Sequence, residues 1–472
     1  MSKVPILTLL FLLTLGFGAL PAHADTERRL TQRQAINLWS SLDSDAVRAS
    51  VEVTQAGEKL RVSPETVRQF FRILKGNRVP LVWVHSNLTQ MAERHRHLVE
   101  VLAAATDDGT KDLMDDARAA LAKGDYDGTD AALATAEQFH LDLALREAAS
   151  VSEHNHRAAR MRSERGRIAM IRRDHLGATR LFRGAIDLAR GADRQQLGAY
   201  NWLLAGALHE LGVEKVDSDA LLQAIATYRA DLRETRDRER MPMDWASGQH
   251  RLGMVLAFLG VRRLEPAWLE EAVAAFRLAL EEFTRERDPE KWAILQAHLG
   301  LALSRLGFYK VSTQLEEEAV VAFRLVLQEQ SRDRAPLHWG WAQRSLGEAL
   351  VSLGRTEQRT PIPWKTGTMQ FREALTAYRM GLEETPREHE PWDWAAAQEA
   401  IGDVSMSLAD SERRPTWLEE AVAAYGQALE EYTPERAPRH WHRAHQSMES
   451  ATTLLGFERQ PRDSSSPASP AR

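Results

Sequence analysis

Several stretches of this chain carry the same residues at the same offsets, and that recurrence restricts the fold more than any other feature. Trp245, Trp292, Trp339, Trp394 and Trp441 follow one another at intervals of 47, 47, 55 and 47 residues. Gln249, Gln296, Gln343 and Gln398 stand four residues after the first four of these tryptophans. Leu252, Leu299, Leu346 and Ile401 stand seven after, and Gly253, Gly300, Gly347 and Gly402 eight after. Offsets of four, seven and eight return to one side of a helix of 3.6 residues per turn. Self-similarity at this period means stacked structural units, each with an apolar face that only the next unit can bury.

A second helix follows each first one. The segment "WLEEAVAAFRLALEEF" places Leu269, Ala272, Val273, Phe276, Ala279, Leu280 and Phe283 on one face. Its counterparts carry Tyr228, Phe323, Tyr378 and Tyr425 at the central aromatic position, with Ala224, Ala319, Ala374 and Ala421 four residues earlier. Small and large residues on adjacent turns let a ring from one helix fill the space above an alanine. A glycine inside a helix costs about 1 kcal/mol relative to alanine. Its recurrence at Gly253, Gly300, Gly347 and Gly402 therefore marks a place where a neighbouring helix comes too close for a side chain. Gly212, Gly260, Gly307, Gly354 and Gly456 fall at the far end of the same helices and read as C-caps.

These residues predict an all-α chain of stacked antiparallel helix pairs, and their spacing resembles the tetratricopeptide repeat. That family has a Leu-Gly step in its first helix and Ala, aromatic, Ala at spacings of four and three in its second. Ala272, Phe276, Ala279 and Ala421, Tyr425, Ala428 match the second pattern. The resemblance implies a right-handed superhelical α-solenoid. The departure is length, since the usual unit has about 34 residues. The excess is expected in the turns "GVRRLEPAW" and "TRERDPEK", because loop entropy grows slowly with length. In the 55-residue unit the extra eight residues fall between Gly347 and Ala374. Upstream, Gly166, Ala178, Phe182 and Ala185 form one degenerate unit, and Ala117, Gly124, Tyr126, Ala132 and Ala136 another. The whole layout is similar to bacterial tetratricopeptide proteins with a helical leader before a tandem array, which names an architecture and no ligand.

The ends bear on compartment. Residues 1–24, "MSKVPILTLLFLLTLGFGALPAHA", combine Lys3, an apolar run and a closing Ala-His-Ala, the form of a secretory signal peptide cut between Ala24 and Asp25. The run is shorter than the ~20 apolar residues of a span, so no stable membrane segment is expected after processing. The chain has no cysteine, which excludes a disulfide framework and thiolate chemistry and fits a bacterial periplasmic or secreted protein. A net charge of −6 gives no support for a nucleic-acid surface. The predicted organisation is a mostly helical region at 25–110, degenerate repeats at 111–195, extended repeats at 196–456 and an unfolded Ser- and Pro-rich tail at 457–472. Within the first region Ser63 and Pro64 open a helix, and "RASVEVTQAGEKLRV" reads as a hairpin or irregular stretch.

Candidate chemistry is sparse. "EHNH" at 153–156 imitates a nuclease motif without the surrounding hairpin, and the two histidines of "ERHRH", His95 and His97, belong on a solvated charged face. His338 and His440 precede repeat tryptophans and read as surface residues. "GRTEQRTPIPWKTGT" lacks phosphate-loop spacing. No metal, cofactor or catalytic set is expected. Arg240, Arg287, Arg334 and Arg436, with His389 in the long unit, stand five residues before each tryptophan and are assigned to turn locking and cation–π contact. Residues that repeat with the unit are structural, because a ligand is not periodic. The repeat-structural set is therefore Trp245, Gly253, Phe276, Trp292, Gly300, Phe323, Trp339, Gly347, Tyr378, Trp394, Gly402, Tyr425 and Trp441. The tryptophans are expected against the preceding unit's second helix. The partner-binding candidates are Arg359, Trp364 and Lys365, in the one irregular insertion. A non-catalytic scaffold for an unidentified protein or peptide is the leading function. A small-molecule or glycan receptor using the aromatic residues comes second, and an enzyme third.

Overall fold

In a computed structural model of the chain the described residues are 34–35, 38–39, 46–77, 79, 81–104, 109–146, 151–189, 194–333, 335–359, 367–385, 387–388 and 390–459. The leader 1–24, Arg334, His389, the insertion's Trp364 and Lys365, and the tail from residue 460 lie outside them. Every element among the described residues is an α-helix. Three precede the repeats: α1 (Ala46–Leu60), α2 (Pro64–Gly76) and α3 (Leu81–Ala104). Helix pairs follow as α4 (Lys111–Ala122) with α5 (Tyr126–Arg146), α6 (Val151–Ile171) with α7 (His175–Leu188), and α8 (Arg194–Glu214) with α9 (Ser218–Glu234). Next are α10 (Pro242–Arg263) with α11 (Pro266–Glu282), α12 (Pro289–Lys310), α13 (Thr313–Glu329), and α14 (Pro336–Arg359) with α15 (Thr368–Glu383). The last are α16 (Pro391–Glu412) with α17 (Pro415–Glu431), and the closing α18 (Pro438–Arg459). The chain forms two compact units, the first through Leu306 with Asp333–Ala335, the second Gly307–Arg332 with Pro336 onward. Within each unit successive helices pack as tandem antiparallel pairs.

Proline sets the starts. Pro242, Pro289, Pro336, Pro391 and Pro438 are each the first residue of a first helix, and Pro266 and Pro415 of a second. There the missing N–H costs nothing and the fixed φ is already helical. Side-chain caps do the same work where proline is absent: Ser63, Asp174, Asp217 and Ser312 each accept a hydrogen bond from a first-turn N–H.

The ends differ from expectation. Gly212, Gly260, Gly307 and Gly354 are not caps but lie inside their helices. The left-handed residue comes four later, at Val216, Leu264 and Val311, and likewise at Arg413 after Ala409. The carbonyl of Gly260 accepts from the N–H groups of both Leu264 and Glu265, which ends the helix. A Cβ on Gly260 would stand 2.9 Å from Leu269 Cγ and 3.1 Å from its backbone nitrogen. The glycine is there because the next helix folds straight back over the last turn. Leu264 is 60% exposed at φ 58°, so its side chain contributes little and its backbone is strained. Leu264→Gly should raise the unfolding free energy by about 0.5–1 kcal/mol, the left-handed cost less the chain entropy of glycine, read as a higher denaturant midpoint.

The extra length of the repeat also sits elsewhere than expected. Helix α10 has 22 residues and runs through "GVRR", leaving only Leu264 and Glu265 between it and α11. The first insertion is thus additional helix, whose backbone groups are paired internally; the second, around "TRERDP", is a true loop. The segment expected as a hairpin is helix α1, on which Val53, Ala56 and Leu60 are buried at spacings of three and four. Burial on one side at helical period outweighs the strand preference of its valines and threonine. At the other end α18 continues through Arg459, two residues past the expected start of the tail.

Each described pair closes on one contact. Extended by a Cβ, Gly166, Gly253, Gly347 and Gly402 would come within 2.5, 2.7, 3.0 and 2.6 Å of the rings of Phe182, Phe276, Tyr378 and Tyr425. The second-helix aromatic lies directly on the first-helix glycine of its own pair. Trp394 and Trp441 both pack on one cluster that contains Ala428 and Tyr432, where α17 ends.

Candidate functional site

The repeating polar residues form two sets of attachments between repeats. Arg238, Arg285, Arg332 and Arg387 lie over the rings of Trp245, Trp292, Trp339 and Trp394 at 4.5, 5.5, 5.3 and 4.6 Å. The cation over each ring therefore stands seven residues before it, not five. Three of these arginines also reach the acidic pair ending the next second helix: Arg238 to Glu281 and Glu282, Arg332 to Glu383 and Glu384, Arg387 to Glu430 and Glu431. The residues expected in that role do less. Arg240 is 86% exposed, while Arg287 and Arg436 brace Glu282 and Glu431 at 3.5 and 3.6 Å. Along the second helices Arg229 pairs with Glu271, Arg324 with Glu373 and Arg379 with Glu420.

In the first unit the first-helix side meets α3. Arg94 donates to the carbonyl of Met170 at 3.4 Å, and Arg173 donates to Asn87 Oδ1 at 3.2 Å. Burial, with Arg251, Arg173 and Arg167 close by, pulls Arg94 down to about 10 against the opposing pull of Glu210. Burial raises Glu210 and Glu93 despite the arginines around them. Oε1 of Glu93 is buried and makes no hydrogen bond among the described residues, and neither does Nε2 of His209. Each such atom costs about 1–3 kcal/mol relative to a satisfied one.

Histidines extend this polar layer. His250 and His298 meet Nε2 to Nδ1 at 2.8 Å, so one ring donates and the other accepts, and both rings lie about Phe276. Burial pushes His209 to about 3 and His298 to about 4, and holds His250 well below its ordinary value. His95 is buried, not solvated: its Nδ1 lies 2.9 Å from the Tyr126 hydroxyl, and burial lowers it to about 4. His440 is half-buried on the Tyr432 ring at 5.0 Å and His338 is half-buried as well, so neither is a surface residue. His154 of "EHNH" stacks on His140 at 5.9 Å. Among the described residues no group of three His, Asp or Glu is placed to hold a metal ion.

The second unit presents a different face. Nine residues after the repeat tryptophan, α10 and α12 carry Met254 and Leu301, both buried, whereas α14 and α16 carry Glu348, exposed, and Asp403, 45% exposed. Asp403 accepts from the Tyr425 hydroxyl at 2.7 Å and pairs with Arg355 at 3.8 Å. Arg443 holds both carboxylate oxygens of the buried Glu399. Arg359, the one insertion candidate among the described residues, is exposed at the last residue of α14. The structure does not bring it together with Trp364 or Lys365, which lie outside the described residues.

A buried carboxyl escaped the sequence reading. Glu316 is 0% exposed at the register where the other pairs bury Leu221, Leu269, Phe371 and Leu418. Its Oε1 accepts from Ser352 at 2.7 Å and Thr356 at 3.1 Å, its Oε2 has no hydrogen bond among the described residues, and burial raises its pKa. Glu316→Leu should stabilise the protein by about 1–2 kcal/mol at pH 7, since it removes a poorly compensated buried charge. The raised carboxyl is protonated readily in the folded state, so the advantage should shrink as the pH falls toward 4.5; denaturant unfolding at pH 7 and pH 4.5 reads both.

No family model matches the chain, and no curated protein matches it. Among the solved structures that match is a "circular tandem repeat protein with novel repeat topology and enhanced subunit contact surfaces", 15% identical, covering 97% of this chain and 98% of that one with a TM-score of 0.26. The helices themselves define the class: an all-α protein of stacked tandem helical repeats. No helix among the described residues is long and apolar enough to cross a membrane.

Proposed function

We propose that the chain is a non-catalytic scaffold of lengthened tetratricopeptide-like repeats, exported by cleavage of residues 1–24, that binds a protein or peptide partner. The observation that carries this reading is the change at one register. Met254 and Leu301 are buried in the first unit, while Glu348 and Asp403 meet solvent in the second. The repeating arginines and glutamates are already spent on attaching repeat to repeat, so the residues left to recognise a partner are the non-repeating ones. On α14 these include Glu348 and Arg355, two turns apart on one face. Charged groups of both signs on a rigid face favour an oppositely patterned protein surface, in which charge decides which partner is accepted. Insertions in solenoids map to loops where partners touch, which keeps Arg359, Trp364 and Lys365 in the proposed surface.

Crosslinking in the native envelope, followed by identification of the retained species, tests the reading. Glu348→Arg combined with Arg355→Glu should abolish retention of a specific protein while the melting curve changes little. Retention at wild-type strength by this variant and by Trp364→Ala would remove both surfaces. N-terminal sequencing of the exported form should begin at Asp25.

A further inference from the structure

Helix α3 has two unlike faces. One belongs to the helices around it: Leu88, Leu98 and Leu102 are fully buried, His95 meets Tyr126 of α5 and the Phe70 ring of α2, and Arg118 of α4 donates to the Leu102 carbonyl at 2.8 Å. The other is polar and meets the first helices of later pairs. Asn87 takes Arg173, Arg94 reaches α6 at Met170 and lies by Glu210 of α8 and Arg251 of α10, and Glu93 lies within electrostatic reach of Lys291 on α12. A permanent core seam would be apolar on both sides, whereas polar, imperfectly satisfied contacts characterise surfaces that separate and rejoin. The seam leaves Glu93 Oε1 and His209 Nε2 without hydrogen bonds among the described residues, so its closed form is not strongly favoured.

We infer that the polar face of α3 occupies, within the chain, a seat for a partner's helix, and that the seat empties when α3 lifts off the first helices of α6, α8, α10 and α12 while keeping its apolar face on α2, α4 and α5. The occupant it fits is a helix carrying an adjacent Glu and Arg at its centre with a small amide one or two turns earlier, the pattern of Asn87, Glu93 and Arg94. The acid meets Lys291, and the base meets Glu210. This rests on the scaffold reading but uses a different surface, so the charge-reversed α14 variant leaves it untouched.

The chain has no cysteine, so paired spin labels can be introduced at Glu100→Cys on α3 and Arg263→Cys on α10, both at exposed positions of the first unit. The probe is a synthetic peptide of residues 81–104, added in excess to the full chain. We expect a second, longer label distance that grows at least fivefold in population with the peptide, and that also grows when Arg94→Gln weakens the closed seam. A peptide with Glu93 and Arg94 exchanged should not produce it. A single distance unmoved by the peptide overturns the inference, as does a longer distance that responds to salt alone. The labelled chain with Arg94 intact carries the test even if Arg94→Gln does not fold.

Discussion

Lowering the pH from 6.5 to 4.5 should reduce the unfolding free energy by several kcal/mol, with the loss beginning in the ordinary range of histidine. Burial holds His95 and His298 at about 4 and His175 and His209 at about 3, and pushes His250 well below 6.5. In this window the unfolded chain takes up protons that the folded chain refuses, so stability falls as protons are added. Each such group contributes about 1.4 kcal/mol per pH unit across the interval between its two values. Glu93, Glu164, Glu210 and Glu316 oppose this, because burial raises them and the folded state then binds protons more readily. Their gain is confined to the interval between 4.5 and their raised values, whereas the histidines lose over the whole window, so the net effect is loss. Urea denaturation at pH 7.5, 6.5, 5.5 and 4.5 measures the slope. His209→Gln should flatten it by about 1.4 kcal/mol per pH unit. A slope unchanged by that substitution would mean that water reaches the ring.

The tandem helix pairs were legible because their residues recur, and recurrence is insensitive to the details of any one unit. What was misplaced is what recurrence alone cannot order. Arginines stand both five and seven residues before the tryptophans in several units, and only the path of the loop decides that Arg238 lies over Trp245 while Arg240 points away. The end-of-helix glycines have the sequence form of caps, yet Gly260 serves the helix that folds back over it. Glu316 could have been found, since aligning Leu221, Leu269, Glu316, Phe371 and Leu418 shows one carboxyl in an apolar column. The seat of α3 had no such signal. It joins Arg94 to residues more than a hundred positions away on helices whose inward side chains do not repeat. Of the insertion candidates only Arg359 falls among the described residues, so the binding role of that loop rests on its length and composition.

The close-approach reading of the glycine series makes two opposite forecasts on one helix pair. By intrinsic preference, any glycine within a helix should gain about 1 kcal/mol on becoming alanine. Gly426, on α17, has no atom within 4 Å of the position a Cβ would take, so Gly426→Ala should show that gain as a higher midpoint. Gly402, on α16, has the Tyr425 ring 2.6 Å from that position. The ring cannot move aside cheaply, because Tyr425 is 1% exposed and its hydroxyl is tied to Asp403 at 2.7 Å. The two helices would have to separate, or the ring leave its rotamer, at a cost of about 1–3 kcal/mol for overpacking a tight core. Gly402→Ala should therefore lower the midpoint and Gly402→Leu lower it further, with the same order expected at Gly253 beneath Phe276. Denaturant unfolding of the Gly402 and Gly426 variants side by side separates the two forces, since propensity alone predicts that both alanines stabilise. A stabilising Gly402→Ala would show that the ring does not rest on the glycine, and that the Leu-Gly step recurs for another reason.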